Sequence, residues 1–227
     1  MRLRQLQSQS LEQRAYEVLC EHILEGRLGP GDPLVEAQLS AELGVSKTPI
    51  REALIRLQRD GLVAIVPYRG ARVATLSPDD VRQVCELRRW IETAIARRLA
   101  AERPPDLLKQ LAKNIESARR ALARGDHAVY VKAVRQFSEL LVSASRNKHA
   151  DEVLQRVRNT TALIANASRT RPGREARSIE EHVRIYEALA AGDPDAAERA
   201  TDSHIASIEQ DYLISLEDAR AESATPV

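Results

Sequence analysis

The chain has 227 residues with 34 Lys+Arg against 33 Asp+Glu, a formal net charge of +1 that excludes a strongly basic coating protein and a long acidic tail. Hydrophobic residues make up 43% and charged residues 30%, enough for a packed core under a hydrated surface, in one large domain or two small ones. Aromatics are only 3%, so the core must be built from Leu, Ala, Val and Ile, a composition that favours helices.

Met1 to Ser10 is polar and lacks the apolar stretch of a secretory signal, and no run approaches the ~18 apolar residues of a membrane span. Cys20 and Cys85 are far apart and form no metal-type or redox pair, as expected of reduced core thiols. A cytoplasmic protein with no membrane partner is the expectation. Ser10 followed by Gln13 reads as a capping box opening a first helix, along which Leu11, Ala15, Val18, Leu19 and Ile23 keep helical spacing. Gly26 and Gly29-Pro30-Gly31 end it in a turn. A short helix follows from Glu36 to Leu43, Gly44 suits a sharp turn, and another helix runs from about Lys47 to Asp60 with Pro49 in its first turn. Leu62-Val63-Ala64-Ile65-Val66 reads as a strand and Gly70-Ala71-Arg72-Val73-Ala74 as its return, with Pro67-Tyr68-Arg69-Gly70 at the hairpin tip.

From Ser77-Pro78-Asp79-Asp80, a strong helix start, only helices are predicted: near 78–102, 106–124, 127–145, 149–168, 178–191 and 194–216. The predicted fold is therefore mainly α. Residues 1–75 form a winged helix-turn-helix with a small β-hairpin, and residues 76–227 an all-α antiparallel helical bundle.

On the helix from Lys47, the residues Ile50, Ala53, Leu54 and Leu57 form an inward stripe, so Lys47, Thr48, Arg51 and Gln58 face outward. A recognition helix needs this arrangement, an apolar back and long donors entering the major groove N-terminus first. Arg can bind guanine bidentately, while hydroxyls and backbone amides hold phosphates. Arg69 beside Gly70 gives the wing one guanidinium for a minor-groove or phosphate contact. Any one of these charges alone could be a solvated helix face; turn, helix and wing together point to DNA.

The run Leu39-Ser40-Ala41-Glu42-Leu43-Gly44-Val45-Ser46-Lys47-Thr48-Pro49-Ile50-Arg51-Glu52-Ala53-Leu54 resembles the motif of GntR-family bacterial transcription regulators. So do the preceding Gly26-Arg27-Leu28-Gly29-Pro30-Gly31 and the following Asp60-Gly61-Leu62-Val63. The resemblance covers about residues 10–75 and implies a homodimer on an inverted-repeat double-stranded DNA operator. The DNA-contacting positions it implies are Ser46, Lys47, Thr48, Arg51, Arg69 and Gly70. The family usually has Arg where this chain has Lys47, and lysine is a point charge rather than a planar fork, so that contact favours phosphate over a base.

In the second half, the stripe Val81, Val84, Ile91, Ile95 and Leu99 passes through Arg88. A guanidinium there must be paired to a glutamate or across a dimer interface, or must face a polar cavity as receptor for a carboxylate. His204 falls on the line Ala200, His204, Ile208, Tyr212, and His182 lies beside the stripe Ile179, Val183, Tyr186, Leu189. Each alone reads as a hydrogen-bonded core residue, yet two on adjacent helices of one bundle can meet in its interior.

This half resembles the FCD effector-binding domain of the FadR subfamily, through Glu86-Leu87-Arg88-Arg89-Trp90-Ile91-Glu92, Phe137 with Asn147, Glu181-His182 and His204, over about residues 78–216. In many such domains an Asp and three His hold a divalent metal that grips a carboxylate effector. The resemblance puts two of those His at His182 and His204, but the Asp position falls on Val134 and the first His position on Ser138. Valine cannot ligate a metal and serine poorly replaces imidazole. The effector-binding residues so implied are Arg88, Ser138, His182 and His204, with His182 and His204 the remaining metal donors; Arg135 could replace the metal's charge.

A ligand-responsive transcription regulator, more often a repressor in this family, is the leading expectation. The alternative is a ligand-independent regulator whose helical half only dimerises. An enzyme would need a nucleophile–base pair or a metal motif, and none is legible. The charge supports a local DNA face. Residues 1–46 carry 4 Lys+Arg and 7 Asp+Glu, residues 47–72 carry 6 and 2, and residues 73–227 carry 24 of each.

Overall fold

Ser10 opens helix α1 (Leu11–Leu24) in the computed structural model, which describes residues 10–66, 70–169 and 171–224. Its side chain accepts from the Gln13 N–H at 3.1 Å, but the reciprocal half of the predicted capping box does not form. The Gln13 amide instead donates to Glu17 and accepts from Arg56, because α1 packs against α3 (Lys47–Arg59) and a partner is nearer there. Arg56 also lies over the Tyr16 ring at 3.9 Å, and Tyr16 donates to Asp60 at 2.7 Å, tying the two helices at their exposed edge.

Between them lies α2 (Glu36–Leu43), which ends on Gly44 at φ 65°, a left-handed conformation that costs a residue with a Cβ about 1–2 kcal/mol. The strands β2 (Val63–Val66) and β3 (Gly70–Val73) pair antiparallel, with Val63 opposite Val73 and Val66 opposite Gly70. A strand not predicted, β1 (Pro33–Leu34), adds to the other edge of β3, giving the order β1-β3-β2. Leu19, Ile23, Leu34, Ile50, Leu54, Leu57, Leu62, Val63 and Val73 are buried, and α2 adds Leu39, so every element of this unit contributes to its core.

The chain divides into two compact units, Met1–Thr75 and Leu76–Val227. In the second, Ser77 caps α4 (Pro78–Glu102) in a full capping box with Asp80, a device worth about 1 kcal/mol. The remaining helices are α5 (Pro105–Ala123), α6 (His127–Ala144), α7 (Lys148–Ser168), α8 (Arg174–Ala191) and α9 (Pro194–Ala224). α8 begins four residues before its predicted start because Gly173 takes the left-handed conformation at φ 72° and turns the chain directly into it. α9 likewise runs past its predicted end.

One core joins α4, α5, α6, α8 and the start of α9 around Leu99, Leu111, Tyr130, Phe137 and Leu189. A second joins Val81 and Cys85 of α4 to Ile164 of α7 and Ile205, Ile208 and Tyr212 of α9. Tyr212 also accepts from the Leu76 N–H at 3.2 Å and donates to the Leu76 carbonyl at 3.4 Å. All buried residues of α7 fall in its last two turns, from Ala162 to Ser168; Lys148–Thr161 has none.

Candidate functional site

Two sites are built on these units. On α3, Ile50, Ala53, Leu54 and Leu57 are buried, and Ser46, Lys47, Thr48, Arg51 and Gln58 are exposed together on the opposite face. Ser46 has N-cap geometry but its hydroxyl makes no capping bond, so it and the first N–H groups of α3 remain open to an anion. Gly70 is exposed at the start of β3, while Arg69 lies outside the described residues. Arg51 donates from Nε and Nη2 to the two carboxylate oxygens of Glu36 at 3.1 and 2.8 Å. That fork lowers the Glu36 pKa and holds the guanidinium extended over α2. Glu36 was not among the predicted residues, because its partner comes from a different helix fifteen residues on.

The second site is a cavity of about 370 Å³ walled by α4, α6, α7 and α9. Arg88, Ser138 and His204 line it, as do Val134 and Arg135. His182 is not on the wall. It is buried behind, stacked on Phe137 with centroids 4.0 Å apart and planes 4° apart, and it meets His204 at 4.8 Å. Arg88 is paired with a glutamate and also faces the cavity. It is 3% exposed, it donates from Nε and Nη2 to Glu92 at 2.6 and 3.3 Å, and its buried Nη1 has no hydrogen-bond partner among the described residues.

His204 Nδ1 lies 2.7 Å from the Glu181 carboxylate, which can only accept, so Nδ1 carries a proton and Nε2 is left for the cavity. Glu181 also accepts from Arg174 at 2.9 Å, and Arg174 in turn pairs with Asp211 at 3.2 Å. Burial pushes the Glu181 carboxyl up, but the His204 hydrogen bond and the charges of His204 and Arg174 outweigh it and hold the pKa at about 2. Burial, then the charges of His204, Arg174 and Arg88, drive His182 well below the usual 6.5, so it is neutral. The sequence signalled Glu181 only through the FCD resemblance, and Arg174 not at all; both are called inward by the antiparallel register of α8 and α9.

Residues 11–73 match the bacterial regulatory proteins of the gntR family, and residues 83–207 match the FCD domain. The HTH-type transcriptional repressor RspR of Escherichia coli is 30% identical over 203 residues, 89% of each chain. A probable D-xylose utilization operon transcriptional repressor of Paenarthrobacter nicotinovorans is 33% identical over 189 residues, 81% of this chain and 80% of that one. The crystal structure of a putative GntR transcriptional regulator from a Rhodococcus species superposes with a TM-score of 0.77 at 26% identity, covering 90% of this chain and 98% of that one. The chain belongs to the GntR family, with an FCD domain. It is a transcription regulator, as the family and its relatives are, and not an enzyme.

The regulator's residues do not fit the divalent metal that the FCD resemblance implies. Among the described residues no cluster of three or more His, Cys, Asp or Glu could hold one. Val134 offers no donor, and Ser138 only a neutral hydroxyl. The two imidazoles are adjacent, but Arg88 and Arg174 already bring positive charge to His182, which opposes a dication there.

Proposed function

We propose that the regulator binds an inverted-repeat operator as a homodimer in the cytoplasm, and that a small carboxylate entering the FCD cavity controls that binding. Ser46, Lys47, Thr48, Arg51 and Gly70, with Arg69 on the wing, are the proposed DNA contacts. Arg51 would exchange Glu36 for a base edge or phosphate on docking; the pair is exposed, so the exchange costs little. Arg88, Ser138 and His204 are the proposed effector contacts, with neutral His182 packed behind them to fix the His204 ring. No helix among the described residues is long and apolar enough to cross a membrane. Relatives named as repressors support repression as the mode of action.

The observation that carries the effector reading is the unpartnered Nη1 of Arg88 on the wall of the cavity. A half carrying only dimer contacts gains nothing from burying an unsatisfied guanidinium N–H beside open volume, since such a group costs about 1–3 kcal/mol or more. Gel-shift titration on the regulator's own upstream DNA tests both parts. Arg51→Ala should weaken binding by about 1–3 kcal/mol per subunit. Simple carboxylic acids should change the wild-type shift and leave Arg88→Gln unresponsive. Unchanged affinity in the first variant, or an equal response in the second, overturns the corresponding assignment.

A further inference from the structure

Four arginines line the cavity: Arg88, Arg135, Arg158 and Arg169. Among the described residues Arg88 pairs with Glu92, and Arg135 with Glu139 alone at 4.0 Å. Arg169 differs from every other deeply placed arginine. Its Nη1 donates to the amide oxygen of Asn166, its Nη2 is buried with no hydrogen-bond partner, and among the described residues no carboxylate forms an ion pair with it. The buried arginines Arg88 and Arg174 both hold carboxylates, Arg88 one and Arg174 two. Burial pushes Arg169 down to about 10, with Arg135 and Arg174 adding to the fall and Tyr130 and Glu175 opposing it, so it remains charged at neutral pH. A charge kept in a partly apolar wall with no carboxylate in ion-pair contact is costly.

The placement of Arg169 matters as much as its charge. Along α6, Tyr130 bonds to the Glu175 carbonyl and Phe137 stacks on His182, seven residues further in both helices, so α6 and α8 run parallel. Arg88, Ser138 and His204 gather at the Phe137 level. Arg169 lies toward the Tyr130 level, within reach of the Arg135 charge. A helix rises about 1.5 Å per residue, so the two cationic ends are separated by roughly 5–10 Å. Between Arg169 and the Ser138 level the wall carries Val134, one turn before Ser138 on α6, and Ala165, one turn before Arg169 on α7, with Arg135 next to Val134. The three lining acids do not cancel this arrangement. Glu92 is engaged by Arg88, Glu139 faces Arg135 at 4.0 Å, and Asp151 lies at the far end of α7, bonded by Gln155.

We infer that the cavity selects an acid with two separated anionic groups, one held at Arg88, Ser138 and His204 and the other at Arg169 and Arg135 across a short aliphatic spacer, with no metal. This deepens the carboxylate reading and rests on it. Arg169 and Arg135 thereby become the specificity-determining residues, supplying as fixed guanidinium charge what Val134 and Ser138 cannot supply through a metal.

The test is calorimetric titration of the full-length regulator with succinate, glutarate and adipate, each against its own monomethyl ester, in buffer with and without EDTA. At least one diacid should bind roughly tenfold or more tighter than its half ester, the size of one added charge-assisted pair. EDTA should change nothing. Arg169→Gln should lose the preference while keeping the half-ester affinity, and its apo form should melt no lower than wild type because an unpaired charge has been removed. Arg169→Lys should keep part of the preference, and Arg135→Gln should narrow it, which covers the case of an unstable Arg169 variant. Half esters binding as tightly as the diacids overturn the inference and leave the carboxylate reading standing. So does a preference that survives in both variants, or one abolished by EDTA and restored by zinc. If neither diacid nor half ester binds, both readings fail.

Discussion

His182 lies flat on Phe137 with Nε2 buried and without a partner among the described residues, and burial, with the cations around it, keeps it neutral. The unfolded chain takes up a proton near 6.5 that the folded chain refuses. The stability this contributes is therefore complete above that pH and drains as pH falls below it, by about 1.4 kcal/mol per pH unit for one proton. Glu181 acts in a lower window: its pKa is depressed from 4.5 to about 2, so its contribution is complete above 4.5 and lost toward 2. Between pH 7 and about 5 the first effect acts alone. His182→Phe keeps a ring on Phe137 and removes the titration, so its melting temperature should fall less over that range than the wild type's; parallel curves would show that His182 takes its proton while folded. At this scale the sequence is legible where a residue breaks a pattern on its own helix. Arg88 interrupts an apolar stripe and stands out. Arg169 lies past the last turn of α7, where no stripe exists to be broken, and Glu181 sits beside other acids on α8. Their roles come from neighbours on other helices.

Among the elements, those opened by a capping side chain or closed by glycine are the ones that can be read in advance. Ser77 with Asp80 starts α4, and Gly44 ends α2, because the groups involved lie within a few residues of each other. β1 has no such local cause. Two residues, one of them proline, become a strand only because Leu34 finds Ala71 and Pro33 finds Arg72, nearly forty residues away. The capping box of α1 stops halfway for the same kind of reason, since Arg56 of α3 claims the Gln13 amide. α7 shows how unevenly an element can be held. Its capping Asn147 accepts from His149 and Ala150, but Lys148–Thr161 buries no side chain, and several of its residues face the cavity instead. Such a segment opens locally at low cost. Amide hydrogen exchange should be faster across 148–161 than across 162–168, and a bound diacid should slow the first segment selectively. Equal rates in both, unaffected by ligand, would mean that the cavity face contributes nothing to holding α7.

Across the whole molecule, a net charge of +1 conceals a cationic stretch, since residues 47–72 hold 6 Lys+Arg against 2 Asp+Glu. Each phosphate contact changes the slope of log affinity against log salt by about −0.9. Lys47→Ala should therefore make that slope shallower by about 1 per subunit, with little change in the preferred operator sequence. An unaltered slope would take Lys47 off the phosphate backbone. Tyr212 gives the molecule a further property. His204, Ile208 and Tyr212 follow one another at four-residue steps on a single face of α9; the first two face the cavity, and the third grips the backbone of Leu76 through both its N–H and its carbonyl. Leu76 is the residue at which the chain leaves Thr75 and the DNA-binding unit. One face of α9 is thus shared by the wall of the cavity at His204 and, two turns further on, by the anchor at Tyr212 that holds the first residue of the helical unit.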